Sequence, residues 1–272
     1  MRLNTLYASI TSNSQKAGIL FSILILISLG LLVLLTKKFP QLPNYHNFAD
    51  DRTVLGILNF WNVISNIPFL LVSILGFVSL RKAWSTNKIR AQEAVVFFIL
   101  FLGVLLISLG STYYHLAPDS NRLVWDRIPM TIVFMSLLSF TIMERINFNL
   151  GLGLFIPFIA FGVFSVLYWH QTELAGQGDI RLYALVQFYS IFLIMLTLIL
   201  FPKPYPPFKI YLWMFVFYGL AKITEHFDLA IYEFSGLISG HTLKHIFAAI
   251  SIYFAVVFLN IKSLSGSCNH SQ

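Results

Sequence analysis

The stretch AVVFFILFLGVLLISLGSTYYHLAPDSNRLVWDRIPM, residues 94–130, contains a long apolar run followed by a polar turn. The run covers residues 94–115, and about 20 mostly apolar residues are enough for a helix to cross a bilayer. Ser111, His115 and Asp126 fall where this predicted helix ends and the next apolar run begins. An ionisable side chain at membrane depth costs about 2.5–3.5 kcal/mol on insertion scales, so these residues suggest a functional site.

Apolar runs of this kind recur along the whole chain. The composition is 57% hydrophobic and only 11% charged, whereas about 25% of the residues in a soluble domain are charged. The chain is therefore predicted to be an all-α membrane protein, a single helical bundle without a separate soluble domain. The alternating ten-residue segments of a membrane β-barrel are not present in the sequence. The predicted spans are residues 18–36, 60–80, 94–115, 127–143, 151–169, 181–201, 210–230 and 241–262.

The first apolar run is interpreted as a retained helix. It is longer than the usual core of a signal peptide, and the residues that follow, KKFPQLP, contain no small-residue cleavage site. The predicted organisation is an N-terminal tail and extra helix at 1–43, a core at 44–262 and a polar tail at 263–272. Cys268 is the only cysteine, so no disulfide is predicted.

The net charge of +7 comes from basic residues that are distributed over many loops. No nucleic-acid partner is predicted from such a pattern, and the charges serve instead to orient the helices. Alternating assignment of the loops places Arg2, Lys16, Arg81, Lys82, Lys88, Arg90, Arg145, Lys203, Lys209 and Lys262 on one side. The other side has Lys37, Lys38, Arg52 and Arg122, with Arg127 and Arg181 at its helix ends. The positive-inside rule then predicts cytoplasmic termini, with His115 and His241 at the opposite membrane face.

A pair of histidines occurs in SGHTLKHIFAAIS, residues 239–251. His241 and His245 are four residues apart, which places both imidazoles on one face of a helix. The pair alone is a weak signal, because histidines at a helix entrance also serve as interfacial groups. His115 adds a third imidazole on the same predicted side, and three histidines with one open position form the ligand set of a catalytic zinc. Calcium and magnesium prefer oxygen ligands.

Asp126 and Ser111 are candidate catalytic residues beside these histidines. A carboxylate near the open coordination position can take a proton from water as a general base. The Ser111 hydroxyl, one helical turn before His115, can donate to the oxyanion that forms at an attacked carbonyl. Alternatively, Asp126 pairs with Arg127 or Arg122 at the interface and Ser111 bonds to its own helix. The residues alone leave both interpretations open.

Four separated motifs resemble the alkaline ceramidase family of the CREST group of membrane hydrolases. They are FWNVISN at 60–66, Gly110-Ser111 with His115, DRIPM at 126–130, and His241 with His245. The resemblance covers residues 44–262 and implies a seven-helix core at 60–262, with 18–36 as an extra N-terminal helix.

The resemblance also implies a function and the roles of the residues. His115, His241 and His245 would bind one zinc ion, Asp126 would hold the attacking water, and Ser111 would lie beside the oxyanion. The reaction would cleave the amide bond of ceramide, or of a related N-acylated lipid, and release a fatty acid. The segment before the first core helix is similar to the bacterial branch, which implies the bacterial inner membrane.

One departure from the family pattern concerns calcium. Many eukaryotic members have an acidic calcium-binding run and then a glutamate before FWN, and here that glutamate is replaced by Asn59. The run itself reads NYHNFADDRTVLGIL at 44–58, and only Asp50 and Asp51 are acidic. Calcium is therefore a doubtful cofactor.

Other polar groups at membrane depth have structural interpretations. Lys222, Glu225, His226 and Asp228 are spaced for ion pairing along one helix and are interpreted as an internal strut. The bilayer and a membrane lipid are the expected partners, and the sequence predicts no oligomeric state. The alternative functions are a receptor-like or hemolysin-type protein with structural zinc, and a transporter. The transporter is disfavoured because the polar groups cluster at one membrane face.

Overall fold

The structure is a computed structural model that describes Gly30, residues 35–203 and residues 207–264. These residues are almost entirely helical, and one isolated bridge, Val54 to Ile57, is their only extended pairing. Their helices are α1 (Phe60–Ile64), α2 (Ile67–Ser85), α3 (Ala91–Leu116), α4 (Ser120–Arg145), α5 (Phe148–Leu174), α6 (Arg181–Ala184), α7 (Ser190–Leu200), α8 (Phe208–His226), α9 (Asp228–Ser235) and α10 (Gly240–Leu264). A π-helical turn at Leu185–Tyr189 joins α6 to α7.

Six helical segments among the described residues are long and apolar enough to cross a membrane. They are Phe60–Ser85, Ala91–Leu116, Ser120–Arg145, Phe148–Leu174, Arg181–Leu200 and Gly240–Leu264. Six of the predicted spans are thus confirmed, as is the prediction of an all-α, multi-pass membrane protein. The predicted first span, 18–36, lies almost wholly outside the described residues.

The predicted span at 210–230 corresponds to two helices. The first, α8, ends at His226, and the short helix α9 begins at Asp228. The prediction of one continuous helix is wrong, because the helix is interrupted at Phe227 and the start of α10 occupies the space beside the end of α8. A Cβ atom on Gly240 would overlap the carbonyl oxygen of Thr224, so the start of α10 packs directly against this end.

The start of α4 also differs from the prediction. The helix begins at Ser120, seven residues before the predicted boundary at residue 127, so the polar turn SNRLVWD is helical. Charged residues in this turn lowered its hydropathy without preventing a helix. Asp126 therefore lies within the second turn of α4.

The described residues divide into two compact units, Gly30 and residues 35–41 with 134–203, and residues 42–133 with 207–264. In the second unit, α10 packs mainly against α8 and α2, and α2 packs against α3. In the first unit, Arg181 forms a bidentate salt bridge with Asp179, with both hydrogen bonds at 2.8 Å, and donates to the carbonyl oxygen of Thr36. The Arg181 guanidinium holds the pKa of the Asp179 carboxyl below its usual range. All the candidate site residues belong to the second unit.

Candidate metal centre

Three buried imidazoles meet where the end of α3 approaches the start of α10. Nε2 of His115 lies 3.3 Å from Nε2 of His241, and one ligand nitrogen from each of His115, His241 and His245 lies within 4.8 Å of the other two. The side chains are 1%, 7% and 3% exposed, respectively. The structure thus brings together the three histidines that the sequence predicted.

The arrangement fits a metal ion. Two nitrogens about 2.05 Å from a tetrahedral zinc lie about 3.3 Å apart, which is the separation of the His115 and His241 nitrogens. Three neutral imidazoles without a carboxylate ligand are a donor set that suits zinc better than calcium or magnesium. The cluster could therefore hold a metal ion, and its donors are consistent with zinc.

The motif FWNVISN, with Asn59 directly before it, surrounds two of these histidines with hydrogen-bonding side chains. The hydroxyl of Ser65 lies 2.7 Å from Nδ1 of His245, and the amide of Asn59 donates to the carbonyl oxygen of His115 at 2.9 Å. Asn62 accepts a hydrogen bond of 3.1 Å from Thr242 on α10. A partner on a ring nitrogen, as Ser65 is for His245, fixes the orientation and tautomer of a metal-binding histidine. The two asparagines instead hold the backbone of His115 and the side chain of Thr242.

Asn59 reaches His115 because of an uncommon backbone conformation. Its φ is 50° and its ψ is 40°, in the left-handed region where asparagine is better tolerated than most residues. The amide then satisfies one of the carbonyl groups that remain without a helical partner at the end of α3. A short polar side chain at this position therefore serves both the turn into α1 and the placement of His115.

Ser111 and Asp126 form a second pair in the same unit. A Cβ atom on Gly110 would overlap the carbonyl oxygen of Trp125, so only glycine permits this approach of α3 to α4. Pro129 lacks the N–H group that would otherwise bond this carbonyl, one helical turn before it. The approach brings the Ser111 hydroxyl of α3 beside the carboxylate of Asp126 on α4. Both side chains are buried.

Arg122 and Arg127 are the alternative partners that the sequence predicts for Asp126. Arg122 pairs with Asp119 at 3.7 Å and donates to the carbonyl oxygen of Tyr113, so its contacts lie away from Asp126. The guanidinium of Arg127 lies 5.2 Å from the ring centroid of Tyr45. Asp126 on α4 interacts with both Ser111 of α3 and its neighbour Arg127.

The ionisable residues at the end of α8 and the start of α9 are arranged differently from the predicted strut. Glu225 pairs with Lys222 at 2.8 Å, as the spacing predicted, and also with Lys244 of α10 at 2.6 Å. Asp228 accepts backbone hydrogen bonds instead of pairing with His226, which is exposed. The strut thus links α8 to α10 through Lys244, a partner that spacing along one helix could not identify.

Two further residues near the cluster have no signal in the sequence. Nδ1 of His46 lies 2.9 Å from the hydroxyl of Tyr114, and its Nε2 lies 3.3 Å from the hydroxyl of Ser120. Phe48 packs against His115 and His241. Both residues belong to the irregular segment before α1, where no periodicity indicates which side chains turn inward.

Comparison with known protein families identifies a relationship for this chain. The model of the family described as Ceramidase matches residues 54–224, which is more than half of the chain. The matched residues include Ser111, His115 and Asp126 and end before His241 and His245. A comparison with curated proteins found no match.

Proposed function

The chain belongs to the ceramidase family, and from this premise we propose that it is a multi-pass membrane hydrolase that requires zinc. Its substrate would be ceramide or a related N-acylated lipid, whose amide bond it cleaves to release a fatty acid. The observation that carries the proposal is the buried cluster of His115, His241 and His245, which can hold a metal ion in the same unit as the Ser111–Asp126 pair.

We further propose that the core is a seven-helix bundle formed by residues 60–262, with an eighth helix at 18–36. The seventh member of the core would be α8, whose 19 residues span about 28 Å at 1.5 Å per residue. Its charged residues Lys222 and Glu225 lower its hydropathy, but the pairing of Glu225 with Lys244 directs them toward α10. Residues 1–43 and 263–272 would flank this core.

Zinc is the proposed cofactor, held by the three imidazoles. When bound, it would polarise the substrate carbonyl and lower the pKa of a coordinated water molecule to about 7. Calcium is not part of the proposal, because the Asp50 carboxylate already has an internal cation as its partner. The guanidinium of Arg52 donates to both of its oxygens, at 2.8 and 2.7 Å.

Asp126 is proposed to be the general base. Its carboxylate would take a proton from the attacking water while the water oxygen bonds to the amide carbon. It would then deliver that proton to the leaving nitrogen as the carbon–nitrogen bond breaks, so that an acid and an amine leave the site. One buried carboxylate serves both steps.

Ser111 has a role that changes during this proton transfer. Its single hydroxyl proton would first be donated to the neighbouring Asp126 carboxylate. Once Asp126 has taken a proton, the carboxylic acid can donate to Ser111 instead. The serine proton is then free to turn toward the oxyanion on the attacked carbon, where a donor stabilises the transition state.

The decisive experiment is fatty-acid release by the purified protein from N-acylated lipids in detergent micelles. We expect release from wild-type protein and near-complete loss in Asp126→Asn, with the zinc content of both proteins unchanged. The matched control is Asp119→Asn, which makes the same chemical change at an exposed residue just before α4 and should release fatty acid at the wild-type rate. Zinc-containing wild-type protein that releases no fatty acid would contradict the proposal and favour a receptor-like role.

We also propose a location for the protein. The distribution of basic loop residues favours cytoplasmic termini and a metal centre that opens to the other membrane face. In a bacterial inner membrane that face is the periplasm.

A further inference from the structure

Phe48 covers one side of the histidine cluster. The centroid of its ring lies 4.7 Å from that of His115 and 4.6 Å from that of His241, with tilts of 57° and 56°. It also meets the edge of Tyr114 at 6.0 Å. An apolar ring against two imidazoles keeps water from that side and limits the rotation of both rings. Phe48 lies before residue 54, outside the part of the chain that the family model matches.

Asp228 ties the backbone beside Phe48 to the helix that carries two of the histidines. One carboxylate oxygen accepts from the N–H of Ala49 at 3.0 Å, and the other accepts from the N–H of His241 at 2.7 Å. The His241 N–H belongs to the first turn of α10, where backbone donors have no partner within the helix. One side chain therefore fixes the start of α10 and the residue next to Phe48 at the same time.

Residues 45–52, here named the cover segment, have further attachments on both sides of this bridge. Asn62 donates to the carbonyl oxygen of Asp50 at 3.2 Å. Arg52 donates to the carbonyl oxygen of Leu237 at 2.6 Å and lies over the ring of Tyr232. The cover segment is thus held to α1 and to the region between α8 and α10 while it places Phe48 on the cluster.

We propose that Phe48 and Asp228 are positioning residues of the metal centre that act as one unit. Asp228 holds the cover segment and the first turn of α10 in one register, and Phe48 is thereby held against His115 and His241. The consequence is slow release of the metal ion, because neither imidazole can swing away while the ring is in place. This inference rests on the metal site of the proposed function.

The chemistry requires a carboxylate at residue 228. Both of its partners are N–H groups, so two acceptor oxygens are needed. Asparagine has nearly the same shape but only one acceptor oxygen, and its NH₂ group would face an N–H donor. Asp228→Asn therefore breaks one of the two attachments with little change in volume.

The test measures zinc release from the full-length purified protein to an excess of a coloured chelator. Substitution of a residue that orients a metal ligand typically weakens metal binding about 10–100-fold. We expect Asp228→Asn and Phe48→Ala each to speed zinc release by about this factor. The Phe48→Leu variant, which keeps apolar bulk, should lie between Phe48→Ala and wild type. Matched controls are Glu233→Gln and Phe234→Ala, both exposed on α9, which should release zinc at the wild-type rate.

The double variant decides whether the two residues act together. Residues that work through one element are not additive, so the double variant should release zinc about as fast as the faster single variant. A product of the two factors would overturn the inference. A wild-type rate in both single variants would also overturn it while leaving the zinc site intact, whereas wild-type protein without zinc would refute the metal site itself. The zinc-free variants should stay as helical as zinc-free wild type at the assay temperature, since release caused by unfolding would overturn a role specific to the metal.

Discussion

Ser65 determines which nitrogen of His245 can face the other two histidines. Its hydroxyl bonds Nδ1 at 2.7 Å, which leaves Nε2 as the available ligand atom. Ser65→Ala should therefore weaken zinc binding about 10–100-fold, whereas Ser65→Thr, which keeps the hydroxyl, should restore most of it. Zinc affinity measured by competition with a chelator checks this prediction.

Ser73→Ala is the matched control for Ser65, since that buried hydroxyl on α2 donates to the carbonyl oxygen of Leu70 at 2.8 Å, within its own helix. Equal losses of affinity in Ser65→Ala and Ser73→Ala would show that the effect is a general weakening of this part of the fold. In that case, the hydroxyl of Ser65 would have no specific role at His245.

Ser111→Ala should lower turnover while the zinc content stays unchanged. Loss of one donor to an oxyanion typically reduces the rate by about 10²–10³, and the variant also removes the hydroxyl that interacts with Asp126. The measurement is kcat with zinc stoichiometry determined on the same sample. Wild-type turnover in this variant would remove Ser111 from the proposed chemistry.

The sequence identifies residues of the site only where spacing or a motif indicates them. His241 and His245 are one helical turn apart, and Ser111 and His115 have the same spacing, so helix geometry predicts both pairs. The bond between Ser65 and His245 joins residues 180 positions apart, which no local pattern can reveal.

At the scale of helices, the contact between α3 and α4 depends on Gly110. A methyl group there would overlap the carbonyl oxygen of Trp125, and backbone cannot yield as a flexible side chain can. Gly110→Ala should therefore separate the two helices, destabilise the protein by about 1–3 kcal/mol and lower turnover by displacing Ser111 from Asp126. Unfolding in detergent and fatty-acid release would measure the two effects.

Gly219→Ala on α8 provides the control, because a Cβ atom there has no neighbour within 4 Å. Alanine is the better helix former by about 0.5–1 kcal/mol, so this variant should be at least as stable as wild type. Equal stability of the two glycine variants would mean that the approach of α3 to α4 is looser than the structure indicates.

Hydropathy predicts the helices well where apolar residues are continuous and less well where helices contain charge. The first turns of α4 contain Asn121, Arg122 and Asp126, and hydropathy placed the boundary after them. Hydropathy extends α8 to residue 230, whereas the helix ends at His226. There the start of α10 packs against Thr224 through Gly240 and donates to Asp228 through the N–H of His241. Both errors arise where tertiary contacts at the candidate site decide the local structure.

At the scale of the whole molecule, six membrane-spanning candidates agree with the predicted spans, because length and hydrophobicity are properties of the sequence itself. The division of the described chain into two units could not be predicted in the same way. Residues 134–203 contain α5 to α7 and join one unit, while α8 to α10 join the unit of α1 to α3. Such membership depends on which apolar faces meet, and apolar faces of membrane helices are chemically alike.

Sidedness is the last property that the basic residues predict. Arg81, Lys82, Lys88 and Arg90 surround the link between α2 and α3, whereas α9 and its flanking turns at 229–240 contain no lysine or arginine. The first link should therefore be cytoplasmic, and the metal centre, whose His115 and His241 lie beside the opposite links, should open to the other compartment. The enzyme would then exchange water and product with that compartment.

The measurement is labelling of single cysteines with a membrane-impermeant thiol reagent in a Cys268→Ser background. Ser85 and Asp119 are both exposed in the structure and lie on opposite sides of the predicted topology. Asp119→Cys should react on intact cells, and Ser85→Cys should react only after permeabilisation, because the bilayer blocks the charged reagent. The reverse pattern would place the metal centre at the cytoplasmic face, and lipid hydrolysis would then draw on cytoplasmic water. Fatty-acid release by both variants serves as the control that each cysteine leaves the fold intact.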